Sequence, residues 1–493
     1  MKPSGASSAT KFSRNDLERL GKDTLIDIIL AFAAEIESLR EEVRQVKSRL
    51  DTNSGNSSVP PSCDSPKSKA EQKKARQEKR KLRKKGRNRK RGGQPGHVGH
   101  FRKPPEEVDH TNTVIPPQCF DCHAPLDKSS IDHKIDPVRH YTYELVDKPV
   151  EVTESLCPVC RCSRCGGTSQ AQLPPELRKS TLGPRLTALG LFLRGGIQAS
   201  TRDVVEFFST VLDTPISLGT VSNLESRFTE ALEQPYMEAL NAVRIAEMLN
   251  IDETTWYEKS DRKVIWIATN AELAVYRIDP SKGREALHKL IGVDFSGIVG
   301  SDRAKAYNGI PPKRRQACWA HLDRNYQKLY DSGDEGRELA ARALDEIDTL
   351  FTIWHEHKQG KVDHDQLAQR LRPVKKRFRQ ILDQGMTNPD EHMQGISLAL
   401  DEIWDALWTF TRHSGVEPTN NAAERGARPA VTLRKTSLGS QSERGSRFVE
   451  RSLTAIQTLK KQGRRVFDYI AEVVTGALSG QPAPPFFLPI PDN

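Results

Sequence analysis

Residues 246–330 constrain the fold of this chain more than any other segment, because their apolar pattern switches from helical to strand-like. "EMLNIDETTWY" (247–257), "KVIWIATN" (263–270) and "LAVYRID" (273–279) are rich in β-branched and aromatic residues and are separated by turn residues, which predicts a three-stranded meander. "GREALHKLI" (283–291) reads as a helix, and "FSGIVGSDRAKAY" (295–307) as a short strand with Asp302 just past its end. "RRQACWAHLDRNYQKLY" (314–330) is a strand running into a helix, 335–412 carry long helical patterns, and "NNAAERGAR" opens another helix after Pro418.

Three strands, helix, strand, helix, strand, helix is the order of a ribonuclease-H-like α/β core. Here it would occupy 246–475, with a helical insertion at about 331–411. In such a core, an Asp on the first strand and an Asp after the fourth meet near the sheet centre. A third carboxylate on a later helix closes the site. Asp252, Asp302 and Glu424 fit, 50 and 122 residues apart. Converging hard oxygens suit two Mg²⁺ (or Mn²⁺) ions, which activate an attacking oxygen and stabilise a leaving one in displacement at phosphorus. Each carboxylate also has a plainer role open to it. Asp252 would serve as a strand-end turn residue, with Glu253 as its neighbour on the opposite face. Asp302 would serve as a helix N-cap. Asn421 and Glu424 have capping-box spacing.

Upstream, residues 22–51 carry a heptad with Ile29, Ile36, Val43 and Leu50 at one seam position and Phe32, Leu39 and Val46 at the other. This predicts a coiled-coil helix in a region 1–52, and so a homo-oligomer. Residues 53–105 read as a disordered basic linker. Within it, 67–91 hold fifteen basic residues against Glu71 and Glu78, a local net of +13. The whole chain is only +10, so the remainder sums to −3 and the basicity is a tether. Lys84, Lys85, Arg89, Lys90 and Arg91 are its expected nucleic-acid contacts.

Six of eight cysteines fall within 119–165. In a reducing compartment that clustering favours metal over disulfides. Cys119/Cys122 and Cys162/Cys165, flanking a β-rich stretch "VRHYTYELVDKPVEVTES", predict a zinc ribbon in a domain 106–175, with Cys157 and Cys160 as the alternative pair. Residues 176–245 read as helical and helix-turn-helix-like, with Ser217 as N-cap. Residues 476–493 read as a C-terminal tail. The chain is 36% apolar with mean hydropathy −0.62. It shows no secretory leader and no run of ~18 apolar residues, so no membrane partner is expected and the expected location is the bacterial cytoplasm, with the nucleoid.

"DETTWY", "SDRAKAY", "CWAHLDRNY" and "NNAAERGARP…RK" together resemble the transposases of the insertion sequence 66 family. So does the upstream order of coiled coil, "NSGNSSVPPS", basic stretch, "GGQPGHVGH", cysteine module and "SLGTVSN". The resemblance runs from about residue 25 to about 475. It departs at Arg303 and Ala304, where a glycine and an aromatic are usual, and at Thr419, where Asp often stands. It implies a DDE transposase with Asp252, Asp302 and Glu424 as metal-binding catalytic acids. It also implies Trp319, His321, Arg324 and Asn421 beside them, and Arg425, Arg428, Arg434 and Lys435 on DNA phosphates. The implied partners are transposon terminal inverted repeats, target DNA and accessory transposition proteins. Two other classes compete: a catalytically silent DNA-binding accessory protein, and a nuclease without strand transfer.

Overall fold

The computed structural model describes residues 21–50, 65, 69–70, 104–161, 163–165, 167–332 and 335–486. It divides into two compact units: 1–73, 171–205 and 217–493 in one, 74–170 and 206–216 in the other. The basic contacts expected at Lys84, Lys85, Arg89, Lys90 and Arg91 lie outside the described residues, as does Cys162.

Helix α1 (Lys22–Leu50) is continuous. Its seam residues Ile29, Phe32, Ile36, Leu39 and Val43 are exposed, so the face predicted to be apolar is uncovered. No helix among the described residues is long and apolar enough to cross a membrane.

In the smaller unit, Cys119–Cys122 form a tight knuckle. The Cys119 N–H donates to the Ala124 carbonyl (2.8 Å) and the His123 N–H to the Cys119 carbonyl (3.0 Å). The Cys122 and Asp121 N–H groups face the Cys119 sulfur and hold its thiol below the ordinary range. Strand β1 (Val159–Arg161) pairs antiparallel with β2 (Thr168–Gln170), leaving Cys165 in the turn between them. The expected β-rich spacer is not β: residues 138–155 carry no strand, and Val138, Val146 and Val152 are exposed. An alternating pattern without a partner strand has no ladder to join.

The sheet of the larger unit is preceded by α2 (Pro175–Lys179), α3 (Pro184–Phe192), α4 (Thr201–Thr210, assigned to this unit up to Val205), α5 (Leu218–Ala231) and α6 (Glu233–Arg244). Ser217 caps α5 as expected, its hydroxyl accepting from the Thr220 N–H (3.0 Å). The sheet follows: β3 (Met248–Glu258), β4 (Asp261–Thr269), β5 (Ala274–Asp279), helix α7 (Arg284–Ile291), β6 (Ile298–Ser301) and β7 (Arg315–Ala317). Strand order is β5-β4-β3-β6-β7. β4 is antiparallel to β3 and to β5, whereas β6 is parallel to β3 and to β7. The architecture is thus α+β with a mixed sheet.

Helix α8 (Trp319–Ser332) leads into α9 (Arg337–Lys358), α10 (His364–Gly385), α11 (Glu391–Glu402) and the short α12 (Trp404–Leu407). Their apolar faces close one core around Trp319, Tyr326, Phe378 and Trp408, all fully buried. Helices α13 (Asn421–Ser437), α14 (Glu443–Lys461) and α15 (Val466–Ser479) complete the unit. α13 packs on β3 and β4, and α14 on β5. α5 buries Val221, Leu224 and Phe228 and packs on α14 and α15. Its Arg227 donates to the Lys179 carbonyl (2.8 Å), and Arg444 covers Ser222 (2.7 Å). α5 thus buries one face in its own protein, while Leu218, Gly219, Asn223, Arg227 and Glu230 are exposed on it.

On α14, Thr458, Thr454 and Glu450 stand one turn apart and accept the outward N–H groups of Ala274, Tyr276 and Ile278 on β5. Side chains thus close the free edge of the sheet. The expected tail at 476–493 is partly structured: α15 extends to Ser479, Phe486 is buried, and the Tyr469 hydroxyl donates to the Pro484 carbonyl (2.7 Å).

After α13 the chain reverses through Leu438 (φ 57°) and Gly439 (φ 105°). The Ser440 N–H then donates to the Tyr257 carbonyl (2.9 Å). A Cβ at Gly439 would lie 2.2 Å from that same oxygen. Gly439→Ala is expected to cost about 2 kcal/mol or more, read as a lower denaturation midpoint. Gly395→Ala, in α11 with nothing within 4 Å, is expected to gain up to about 1 kcal/mol. Equal midpoints for the two variants would remove the steric explanation.

Candidate active site

Strand register builds the site. Asn250 pairs with Gly300, and Gly300 with Gln316. Two residues further along in each case stand Asp252, within β3, and Asp302 and Cys318, just past the ends of β6 and β7. Parallel neighbours lie about 4.8 Å apart, so these three positions share one level, where β6 and β7 stop and β3 runs on. Ligands enter open α/β sheets at that end.

The Asp252 carboxylate accepts from the Glu253 N–H (2.9 Å). Asp302 accepts from the Ala304 N–H (2.8 Å), an Asx turn, and its carbonyl accepts from buried Arg315 (2.8 Å). The following 3-10 turn has Ala304 as its N-cap, so Asp302 is not the cap.

Glu424 arrives on α13, and Asn420 sets where α13 begins. The Asn420 side chain donates to the Ile251 carbonyl (2.7 Å) and accepts from Asn250 (2.9 Å), while its backbone N–H donates to Cys318 Sγ (3.2 Å). All three contacts are buried, and they tie the helix start to β3 at Asn250–Ile251 and to the residue that follows β7. Asn420 is the N-cap, without a side-chain capping bond. That register puts Glu424 in the fourth helical position, one beyond the place a capping box requires. Its carboxylate lies 3.4 Å from Arg324 and 3.9 Å from His321 Nδ1. Further along α13, Gly426 approaches Ile267 closely, and the Tyr276 hydroxyl donates to the Gly426 carbonyl (2.7 Å).

Negative charge is concentrated here. Burial first, then the neighbouring Glu253 charge, with Asp302 and Glu424 adding to it, push the Asp252 carboxyl up to about 7. Glu253, on the opposite sheet face as expected, is also raised, by burial and then by Asp302. It is held by the Tyr307 hydroxyl (2.8 Å) and Lys282 (2.9 Å). His321 is lowered, by burial and then by the Arg324 guanidinium.

The remaining expected residues divide. Arg425, Arg428 and Lys435 are exposed on α13. Arg434 instead turns inward, donating to the Thr254 hydroxyl (3.2 Å) and the Thr255 carbonyl, so it clamps α13 onto β3. Trp319 sits in the helical core, its indole donating to the Leu407 carbonyl (2.7 Å). Asn421 is the first helical residue, and the anchoring contacts belong to Asn420. Sequence reasoning missed Asn420, Lys282, Tyr307 and Cys318. The doubled Asn and the "CWAH" string were the available signals, but neither reveals register.

The donor set of Asp252, Asp302 and Glu424 is all hard oxygen, and their shared charge raises Asp252; both suit divalent cations. The tightest grouping of potential ligands among the described residues is another one. Single ligand atoms of Cys318, His321 and Glu424 lie within 4.8 Å of one another.

The family described as "Transposase IS66 family" matches residues 179–448, more than half of the chain. The chain belongs to the IS66 transposase family. The IS66 match begins at the end of α2 and ends within α14, so it takes in the whole five-stranded sheet, the helical insertion and all three carboxylates. A family of unknown function (DUF6444) matches residues 11–103, which include α1. Two proteins of Sinorhizobium fredii are similar, both described as uncharacterized. Protein y4qI is 25% identical over 247 residues, 46% of this chain and 44% of its own length. Protein y4hP is 25% identical over 405 residues, 73% of this chain and 71% of its own length. The match to y4qI thus spans less than half of that relative.

The raised Asp252 carboxyl makes a stability prediction for this IS66 member. Its folded pKa lies above the ordinary 3.8. The folded state therefore holds a proton that the unfolded state releases, and stability present below about pH 4 is lost as pH rises through about 7. In chelator, Asp252→Asn is expected to gain up to a few kcal/mol over the parent at pH 8 and much less at pH 5. A gain that does not change with pH, read by thermal unfolding, would contradict the shift.

Proposed function

We propose that this chain is a DDE transposase that binds the ends of an insertion sequence, cleaves DNA there and transfers the freed 3′ end to a target. The sheet order supports a ribonuclease-H-like core. The observation carrying the reading is the parallel register of β3 and β6, which sets Asp252 beside Asp302 while Asn420 fixes the start of the Glu424 helix against β3 at the same level.

Asp252, Asp302 and Glu424 would hold two Mg²⁺ or Mn²⁺ ions. When bound, such ions activate the attacking oxygen and stabilise the leaving one. The protein's part is positioning and charge. Asn420 and Arg434 fix α13 on the sheet, and Arg324 and His321 steady Glu424. Arg425 and Arg428, exposed on the helix that carries Glu424, are placed to hold backbone phosphates. Their ion partner is not Glu424, which faces Arg324.

The other parts recruit DNA and assemble the protein. Lys84, Lys85, Arg89, Lys90 and Arg91 supply salt-sensitive, sequence-tolerant attraction. Cys119, Cys122, Cys162 and Cys165 would hold a structural zinc, for which the Cys119–Cys122 knuckle supplies one half. The exposed seam of α1 pairs copies of the chain.

Asp252→Ala, Asp302→Ala and Glu424→Gln are each expected to abolish Mg²⁺-dependent cleavage of labelled element-end DNA while retaining binding by gel shift. Normal cleavage by Glu424→Gln would overturn the triad. Replacing the five basic linker residues by Ser is expected to flatten the dependence of log K on log salt by up to about 4. An unchanged slope would remove the linker from the DNA-binding surface.

A further inference from the structure

Cys318 and His321 border the carboxylate site without belonging to its all-oxygen donor set, and each has a feature that the core does not explain. Cys318 ends the β7 segment and directly precedes α8, so its sulfur sits at the helix N-terminus. It accepts the Asn420 N–H (3.2 Å), and the His321 and Ala320 N–H groups also face it. Burial raises the thiol against these donors, so the resting sulfur keeps its proton. His321 lies one turn on, the i+3 position on the same helix face. Its Nδ1 is buried and has no hydrogen-bond partner, although an unmade buried hydrogen bond costs about 1–3 kcal/mol. It stands 3.9 Å from Glu424 Oε1. Among the described residues that carboxylate accepts one long hydrogen bond, from Arg324 (3.4 Å).

A helix cap accounts for Cys318 alone and leaves the His321 nitrogen orphaned. A shared ligand accounts for all three residues. Their sulfur, nitrogen and oxygen atoms lie within 4.8 Å of one another. A tetrahedral cage with bonds of about 2.0–2.3 Å needs edges of roughly 3.3–3.7 Å. Movement of about 1 Å, within reach of the half-exposed Glu424 side chain, closes the cage.

We propose that Cys318, His321 and Glu424 form a site for a borderline-soft divalent cation, zinc above all, with one sulfur, one nitrogen and one oxygen ligand and a fourth position open. Mg²⁺ is excluded by preference, since it favours oxygen and a thiolate is a soft ligand. Binding expels the Cys318 thiol proton to solvent and draws Glu424 from Arg324. The site stands without the transposase reading. One consequence does rest on that reading: the cation takes an oxygen of the third catalytic carboxylate, so zinc antagonises Mg²⁺-dependent cleavage.

The test is Co²⁺ titration of the full chain, followed by thiolate-to-cobalt absorption and by dialysis stoichiometry. The cysteines of 119–165 contribute to the total, so the quantity read is the difference between parent and variant. Cys318→Ser is expected to lose one equivalent, and His321→Ala and Glu424→Gln to weaken that equivalent at least about tenfold. Should Cys318→Ser fail to fold, Glu424→Gln alters a half-exposed side chain and reads the same site. Unchanged stoichiometry and affinity in His321→Ala and Glu424→Gln would overturn the proposal. In the cleavage assay, zinc is expected to raise the Mg²⁺ requirement of the parent. A chain that cleaves nothing under any condition would defeat the transposase reading and leave the cobalt titration to decide this one.

Discussion

The candidate site depends on one buried amide. Asn420 spans the gap between β3 and β7, giving a donor to Ile251, an acceptor to Asn250 and a backbone N–H to Cys318. Residues 318–420, mostly helical, separate β7 from α13. The Asn420 amide, with the Trp319 N–H donating to the Pro418 carbonyl (2.9 Å), fixes where the chain re-enters the sheet. A leucine of similar size would leave the Ile251 carbonyl and the Asn250 amide unpaired in a buried place, a loss of about 1–3 kcal/mol for each.

Around that anchor, the protein accepts an unfavourable concentration of charge. Asp252 and Glu253 are adjacent on one strand, yet they serve opposite faces. Glu253 is neutralised from within by Lys282 and Tyr307. Asp252 makes no ion pair among the described residues, and its burial and acidic neighbours push its carboxyl up to about 7. The contrast separates a carboxylate already matched by a cation from one that is not. The sheet resists the strain through Arg434 and Gly426, which press α13 onto β3 and β4.

Strand order along the chain was legible because β-branched runs and turn residues recur at strand length, but the helix expected between the fourth and fifth strands is only two 3-10 turns, Lys305–Gly309 and Pro312–Arg314. Glu424 was legible only as a choice between ligand and cap. That choice turned on whether Asn420 or Asn421 starts the helix, and a doubled Asn cannot encode a one-residue register. Arg434 looked like a phosphate ligand because its charge is visible in sequence, while the Thr254 and Thr255 groups that take it come from a strand 180 residues earlier. The spacer at 138–155 shows the converse error. Alternation is a local property, whereas strand formation needs a neighbour, and no neighbour could be read from the pattern.

The row of Glu450, Thr454 and Thr458 along β5 has a consequence for assembly. An edge strand normally offers a ladder of unused amides that a second chain can extend. Here every outward amide from Ala274 to Ile278 already ends on a side chain of α14. The sheet is finished chemically rather than sterically: between Ala274 and Ile278 no outward amide is left for another strand. A second chain could not lengthen the sheet by taking those amides, whatever other surface it used.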